Sequence, residues 1–376
     1  MAAVFDVMIV GAGPSGLMAA DVLSAGGVRV RIIDHMAAPA RKFLLAGRGG
    51  LNLTHSEPLE TLLDRYGEAR ARLEPAIRAF PPEAVREWCH GLGIETFVGS
   101  SGRVFPKSMK ASPLLRALLR RLDSRGVKLD LRTEWKGFEG SEQTILAMGG
   151  ASWPHLGSDA AWVEEFRKAG IKVTPFQPSN GRQRVNWSPH FASRFAGQPV
   201  KNVQLSCGGQ HVRGEIMISS DGIEGGAVYA LSRVLREDPG APLVVDLRPS
   251  LSEEEVSARL AARSSKESRS NRLRKALGLT PVAISLMREC GTENPKSIPI
   301  AVQGPAGIAR AISSAGGVSW SEIDETFRLR RVPHVQVVGE MTNWDAPTGG
   351  YLLQACFSTA YAAARAVLAA PLPYSR

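Results

Sequence analysis

The sequence predicts an α/β fold, a doubly wound parallel sheet divided by an antiparallel β insert and a small helical part. Three observations predict it. An aliphatic run enters GAGPSG near the start (Val4 to Gly16), a strand–helix–strand rhythm runs to about residue 165 and returns after about 320, and short alternating strands lie between. The expected division is therefore residues 1–165 with 320–376 as one domain, 166–250 with 291–319 as the β insert, and 251–290 as the helical insert.

Val7, Met8, Ile9 and Val10 read as a buried parallel strand, and Leu17 to Leu23 as the helix packed on it. Gly11 permits the tight turn, Gly13 lets backbone N–H groups approach a pyrophosphate, and Gly16 lets helix and strand pack closely. The helix N-terminus then favours negative charge. Val28 to Ile33 forms the second strand and delivers Asp34, whose carboxylate suits a ribose diol and disfavours a 2′-phosphate. The ligand expected from these residues is an adenine dinucleotide with a free diol, FAD or NAD.

Ser112-Pro113 predicts a helix start with Ser112 as cap, and Gly126 its stop; Leu114, Leu115, Leu118, Leu119 and Leu122 form its apolar stripe. Strands are expected at Val127 to Leu131 and Thr144 to Met148. From Val173 to Leu247 the pattern becomes short alternating strands, such as Val200 to Cys207 and Gln210 to Ile218, a barrel or a sandwich. Ser252 with Glu255 has capping-box spacing and opens a helical region reaching about Cys290. Val335 to Val338 restores the α/β pattern, and Gly349-Gly350 precedes a last helix.

The 376 residues carry 44% hydrophobic and 22% charged side chains, the composition of a soluble globular chain. Cys89, Cys207, Cys290 and Cys356 form no short-spaced pair, which argues against a redox dithiol and gives no metal pattern. No segment reads as a membrane span and no basic leader precedes the first strand, so a cytoplasmic protein is expected. Net charge is +10. Nine Lys or Arg lie between Arg103 and Arg132 and seven between Arg259 and Lys275, which suits either solvated helix faces or a nucleic-acid-binding surface.

Two further segments carry chemistry. Arg41 to His55 (RKFLLAGRGGLNLTH) reads as a loop whose N–H groups at Gly47, Gly49 and Gly50, with Arg41, Lys42 and Arg48, suit a pyrophosphate or an electron-rich ring. In Val337 to Ala355, Glu340 follows a strand and Gly339, where it suits a polyol hydroxyl, and Gly349-Gly350 opens a helix whose N-terminus would stabilise a reduced flavin. His55, Asp221, Asp345 and Tyr351 are weak candidates for a proton donor, each also readable as structural.

GAGPSG with Asp34, RKFLLAGRGGLNLTH, GRVFPKSMKASPLLRALL, ILAMGGASWPHLGSD, AGGVSWSEID and VVGEMTNWDAPTGGYLLQACF together resemble the BaiN/RdsA (YhiN-like) family of NAD(P)/FAD-dependent oxidoreductases, over the whole length and in order. The resemblance implies a Rossmann-like FAD domain of the two-dinucleotide-domain flavoprotein type, with an inserted β-barrel and a small helical domain. It implies Gly11, Gly13, Pro14, Ser15 and Gly16 at the pyrophosphate and Asp34 at the ribose. It further implies Arg41, Lys42, Gly47, Arg48, Gly49, Asn52 and Thr54 along pyrophosphate and flavin, with Ala147, Gly149 and Gly150 at the strand end. Gly339 and Glu340 would meet the ribityl chain, and Gly349, Gly350, Tyr351 and Leu352 would lie beneath the flavin.

Three places depart from the family pattern: Leu51 stands where a Cys is usual, ISSDGIEGGAVY (Ile218 to Tyr229) replaces a Thr-His motif, and Leu352 replaces an Asn. The implied activity is hydride transfer from NAD(P)H through FAD to an unsaturated acceptor, either uridine of ribosomal RNA or a steroid-like small molecule. A non-catalytic flavin-binding sensor or scaffold is the remaining alternative.

Overall fold

The computed structural model describes residues 5–47, 49–140 and 142–370. The chain forms two compact units, residues 1–177 with 313–376, and residues 178–312.

Among the described residues the first unit is built on a five-stranded sheet of β1 (Val7–Val10), β2 (Val30–Asp34), β3 (Lys128–Leu131), β4 (Gln143–Leu146) and β5 (Val335–Val337), in the order β5-β4-β1-β2-β3. Every pairing is parallel, with Ile9 beside Ile32 on one side and Ile145 on the other. These isoleucines are almost fully buried, as are Val10, Ile33 and Leu146 next to them in the strands, which is why the strands read as aliphatic runs without alternation. The chain winds outward from β1 to β3 and then crosses back to β4. The switch point between β1 and β4 opens a crevice at their carboxyl ends, where such sheets bind ligands.

Four helices matter to that crevice: α1 (Pro14–Ala25), α2 (Arg41–Ala46), α3 (Ala111–Ser124) and α4 (Tyr351–Ala369). In α3 the stripe of Leu114, Leu115, Leu118 and Leu122 is buried, and Arg116 and Arg120 are exposed. Its start corrects the expectation at Ser112: Lys110 occupies the cap position and makes no side-chain cap. Ser112 and Pro113 lie inside the first turn, where a missing N–H costs no intrahelical bond. A second correction concerns α4, which is long and apolar enough to cross a membrane, although no such segment was expected. Its stretch is 56% buried inside the protein, its Ala-rich face packing in the same core as α1.

The unit boundaries lie inside those expected for the insert. Phe166, placed in the insert by the sequence reading, is buried in the first unit against Trp162 and Phe138. The second unit holds a seven-stranded antiparallel sheet whose edge strands are Ile298–Ile300 and Val302–Pro305. Only Ala301 separates them in the chain, so the sheet must curl until its edges nearly meet. This makes the insert a nearly closed barrel. Its helices, Glu253–Ala261, Arg269–Leu277 and Pro281–Glu289, pack on the same core, and Ser252 and Glu255 form the reciprocal capping box read from the sequence.

Candidate cofactor site

The glycine turn is set by close approach. Gly11 has φ +101°, and a Cβ there would lie 2.4 Å from the Ala147 carbonyl oxygen; one on Gly16 would lie 1.9 Å from the Gly11 oxygen. Any side chain at either position separates β1, β4 and α1. Gly13, by contrast, faces open space at the N-cap of α1, and no side chain caps that helix. With Pro14 at its first position, the unpaired N–H groups of the first turn form a cradle of the size and polarity a pyrophosphate needs.

Asp34 ends β2 beside this turn. Its Oδ2 accepts the Ala12 N–H at 2.7 Å and its Oδ1 the Met36 N–H at 2.8 Å, which fixes the carboxylate. Each oxygen keeps a lone pair for one hydroxyl of a diol. The segment after β4 folds back toward the same place: a Cβ on Gly157 would lie 2.7 Å from Met36 Cγ, and Arg41 Nη1 donates to the His155 carbonyl at 3.1 Å.

Arg41 to Ala46 is the short helix α2, a correction to the loop expected from the glycine-rich composition; FLLA propagates a turn before Gly47 ends it. The helix aims Lys42 across the crevice. Its Nζ donates to Ser152 Oγ at 2.6 Å and to Glu340 Oε2 at 2.7 Å, joining the segments that follow β2, β4 and β5. Arg48 lies outside the described residues. Beyond it, Gly49 faces open space, and Gly50, at φ +116°, packs against Met109.

The residues fit a dinucleotide with polar edges, because two buried polar atoms in these segments have no hydrogen-bond partner among the described residues. They are Asn52 Oδ1 and Ser158 Oγ. Ser158 is 5% exposed and lies 3.2 Å from where a Cβ on Gly149 would be, beside the end of β4. A buried unpaired acceptor or donor is costly, so both atoms suit a bound polar group. Gly150 is held against Ser314, whose Oγ accepts the Ala151 N–H at 3.1 Å. On the far side, a Cβ on Gly339 would lie 2.4 Å from Ser15 Oγ.

At the start of α4, Gly350 (φ +100°) abuts the Thr54 backbone, where a Cβ would lie 2.5 Å from the carbonyl carbon. Thr54 is fully buried and its hydroxyl donates to Gln354 Oε1 at 2.5 Å. Leu51 is also fully buried, so this departure from the family pattern is a core-packing one.

His55 and Tyr351 stack with ring centroids 5.5 Å apart. His55 Nδ1 accepts the Glu57 N–H at 3.1 Å and Nε2 faces the Ser101 carbonyl at 2.9 Å, which selects the Nε2–H tautomer and occupies both nitrogens. The Tyr351 hydroxyl donates to Glu57 Oε1 at 2.7 Å, and Arg65 pairs with the same carboxylate at 2.7 Å. Burial, reinforced by Glu57, pushes the Tyr351 phenol well above its usual range. Burial alone would raise Glu57, but Arg65 and the Tyr351 hydroxyl outweigh it and hold the carboxyl below its usual range. His55 and Tyr351 are thus held by the hydrogen bonds and stacking that anchor the start of α4. Asp345 is buried and Asp221 lies in the second unit, half-exposed and paired with Arg182 at 2.8 Å.

Glu57, Arg65, Ser152 and Ser158 are residues the sequence reading did not single out. The two serines stood inside ILAMGGASWPHLGSD, where Ala147, Gly149 and Gly150 were singled out. Burial pushes the thiols of Cys89 and Cys356 up to about 12 and that of Cys290 to about 11, so these are inert thiols.

A glycine turn at a Rossmann switch point, a carboxylate fixed beside it and three converging segments form a dinucleotide site of the kind found in FAD-dependent oxidoreductases. The chain belongs to the HI0933-like protein Rossmann domain family, whose model matches residues 5–366. This is the BaiN/RdsA family that the motifs resemble. It is 25% identical to the 3-dehydro-bile acid delta(4,6)-reductase of Clostridium scindens, covering 96% of this chain and 99% of that one. It is 24% identical to the ribosomal RNA dihydrouridine synthase of Escherichia coli, covering 97% and 98%. Its fold matches 3-ketosteroid delta1-dehydrogenase from Sterolibacterium denitrificans with a TM-score of 0.51 at 12% identity, covering 97% of this chain and 99% of that one.

Proposed function

We propose that this protein takes hydride from NADH or NADPH and reduces a carbon–carbon double bond in uridine of ribosomal RNA, working in the cytoplasm. The observation that carries the reading is the end-to-end likeness to relatives whose names, a delta(4,6)-reductase and a dihydrouridine synthase, both describe reduction of an alkene. The net charge of +10 favours the polyanionic acceptor over the steroid-like one.

FAD supplies hydride transfer between the nicotinamide and the electron-poor alkene carbon. The chain's own residues hold and orient it. The first turn of α1 would take the pyrophosphate and Asp34 the ribose diol, and the Lys42–Glu340 pair ties together the segments that would flank the ribityl chain. The Oδ1 of Asn52, buried without a partner among the described residues, would accept a hydrogen bond from the bound cofactor, and the Glu57–Tyr351–Arg65 cluster fixes the N-terminus of α4.

The test is anaerobic. NADPH or NADH should bleach the bound flavin, and unmodified ribosomal RNA should restore its absorbance while one uridine gains two hydrogens. Bleaching without recovery on RNA, but with recovery on an unsaturated 3-ketosteroid, would support the small-molecule alternative instead.

A further inference from the structure

The first unit carries a small sheet whose central strand, Arg103–Pro106, pairs antiparallel with Thr96–Val98 and with Thr54–His55. Side chains two apart share a face, so Arg103 and Phe105 stand together, with Phe97 directly across from Phe105 and His55 across from Arg103. The two phenyl rings lie 5.8 Å apart at 31°. Phe97 is 37% exposed and Met109, just past the strand, 36%; Val98, 43% exposed, lies across from Val104 on the opposite face of the sheet. Five large apolar side chains are this exposed among the described residues, and three of them fall on this hairpin and its exit. Scattered exposed apolar groups need no explanation, whereas a cluster does.

The cluster is bordered by cations. The Arg103 guanidinium makes no ion pair or hydrogen bond among the described residues, and Lys107 and Lys110 follow it on the exposed exit, Lys107 paired with Glu95. The platform also touches the cofactor segment: a Cβ on Gly50 would lie 3.6 Å from the Phe105 ring and 2.7 Å from Met109 Cε. An exposed ring backed by a second, half-buried ring and bordered by cations is what an unpaired nucleobase and its phosphate require. A bile-acid-like acceptor carries a single carboxylate and would use at most one of the cations, whereas each phosphate along a strand can meet one.

We infer that the hairpin face formed by Phe97, Phe105 and Arg103 docks an unpaired stretch of RNA, stacking a base beside the reacting end of the cofactor site. This rests on the RNA reading of the acceptor. The probe is a single-stranded oligouridine of about twelve nucleotides, within the range one such surface covers. Phe97→Ala should weaken its binding about tenfold, and Phe97→Tyr, which keeps a ring face, should bind as wild type. Arg103→Glu should weaken it similarly and lower the slope of log affinity against log salt by about one. The visible spectrum of the bound flavin, measured on each variant, reports an intact fold.

Wild-type affinity in both Phe97→Ala and Arg103→Glu, or no oligouridine binding by the wild type, overturns the inference. The acceptor reading fails differently: ribosomal dihydrouridine would then persist when the gene is deleted. Dihydrouridine lost on deletion and fully restored by a Phe97→Ala, Arg103→Glu double variant would leave the acceptor reading standing and remove the hairpin from it.

Discussion

Lys42 and Glu340, 298 residues apart in the chain, meet at 2.7 Å with both side chains largely shielded from water. The contact joins the helix after β2 to the turn after β5, and Ser152 brings in the segment after β4. Lys42→Met strands a shielded carboxylate at this junction, so it is expected to cost about 1–2 kcal/mol of stability and to weaken FAD binding about tenfold. Glu340→Gln keeps a hydrogen-bond acceptor for the ammonium and should lose less. Flavin-fluorescence titration of the two apoproteins and of the double variant checks this; additive losses would show that the pair is not coupled.

Ser158→Ala removes a buried hydroxyl that has no partner among the described residues. If that hydroxyl meets the adenosine half of the cofactor, the variant should bind FAD and ADP about five- to tenfold more weakly, with FMN affinity and the visible spectrum unchanged. Calorimetry with ADP decides it. A variant that binds ADP as tightly as wild type places no cofactor contact at Ser158.

The Glu57–Tyr351–Arg65 cluster makes stability pH-dependent at both ends. The Glu57 pKa is depressed on folding, so its contribution is present above the ordinary value of about 4.5 and is lost as pH falls through the lower folded value. The Tyr351 pKa is raised, so its contribution is present below the ordinary value of about 10 and is lost as pH rises toward the folded one. Thermal melts should show Glu57→Gln flattening the acid limb and Tyr351→Phe the alkaline limb. Parallel curves for wild type and variants would contradict the assignment.

Gly16→Ala places a Cβ 1.9 Å from the Gly11 carbonyl oxygen. Nothing at that contact is a flexible side-chain end, so the strand and helix must part. The expected result is a loss of about 1–3 kcal/mol and low flavin occupancy on purification. Gly13→Ala meets no protein atom and should fold normally while binding FAD less well, which separates packing from ligand approach.

The central sheet was legible because a parallel sheet buried on both faces leaves aliphatic runs, and GAGPSG requires glycine where β1, β4 and α1 nearly touch. The barrel was legible only as alternation; its near-closure follows from pairing between strands far apart in sequence. At Arg41 to Ala46, flanking glycines outweighed a short helical stretch. Lys42 and Glu340 were each singled out, but not their contact, because no local pattern encodes a partner 298 residues away. His55 and Tyr351 were found through nearby glycines. That signal marks where a site lies and says nothing about whether the side chains are already occupied, as both are by Glu57.

The most direct measurement is nucleoside analysis of ribosomal RNA from cells lacking this gene, and from the same cells expressing either the wild-type protein or Lys42→Met. Dihydrouridine should disappear on deletion, return with the wild type, and return only in part with the variant. Unchanged dihydrouridine after deletion would contradict the proposed acceptor.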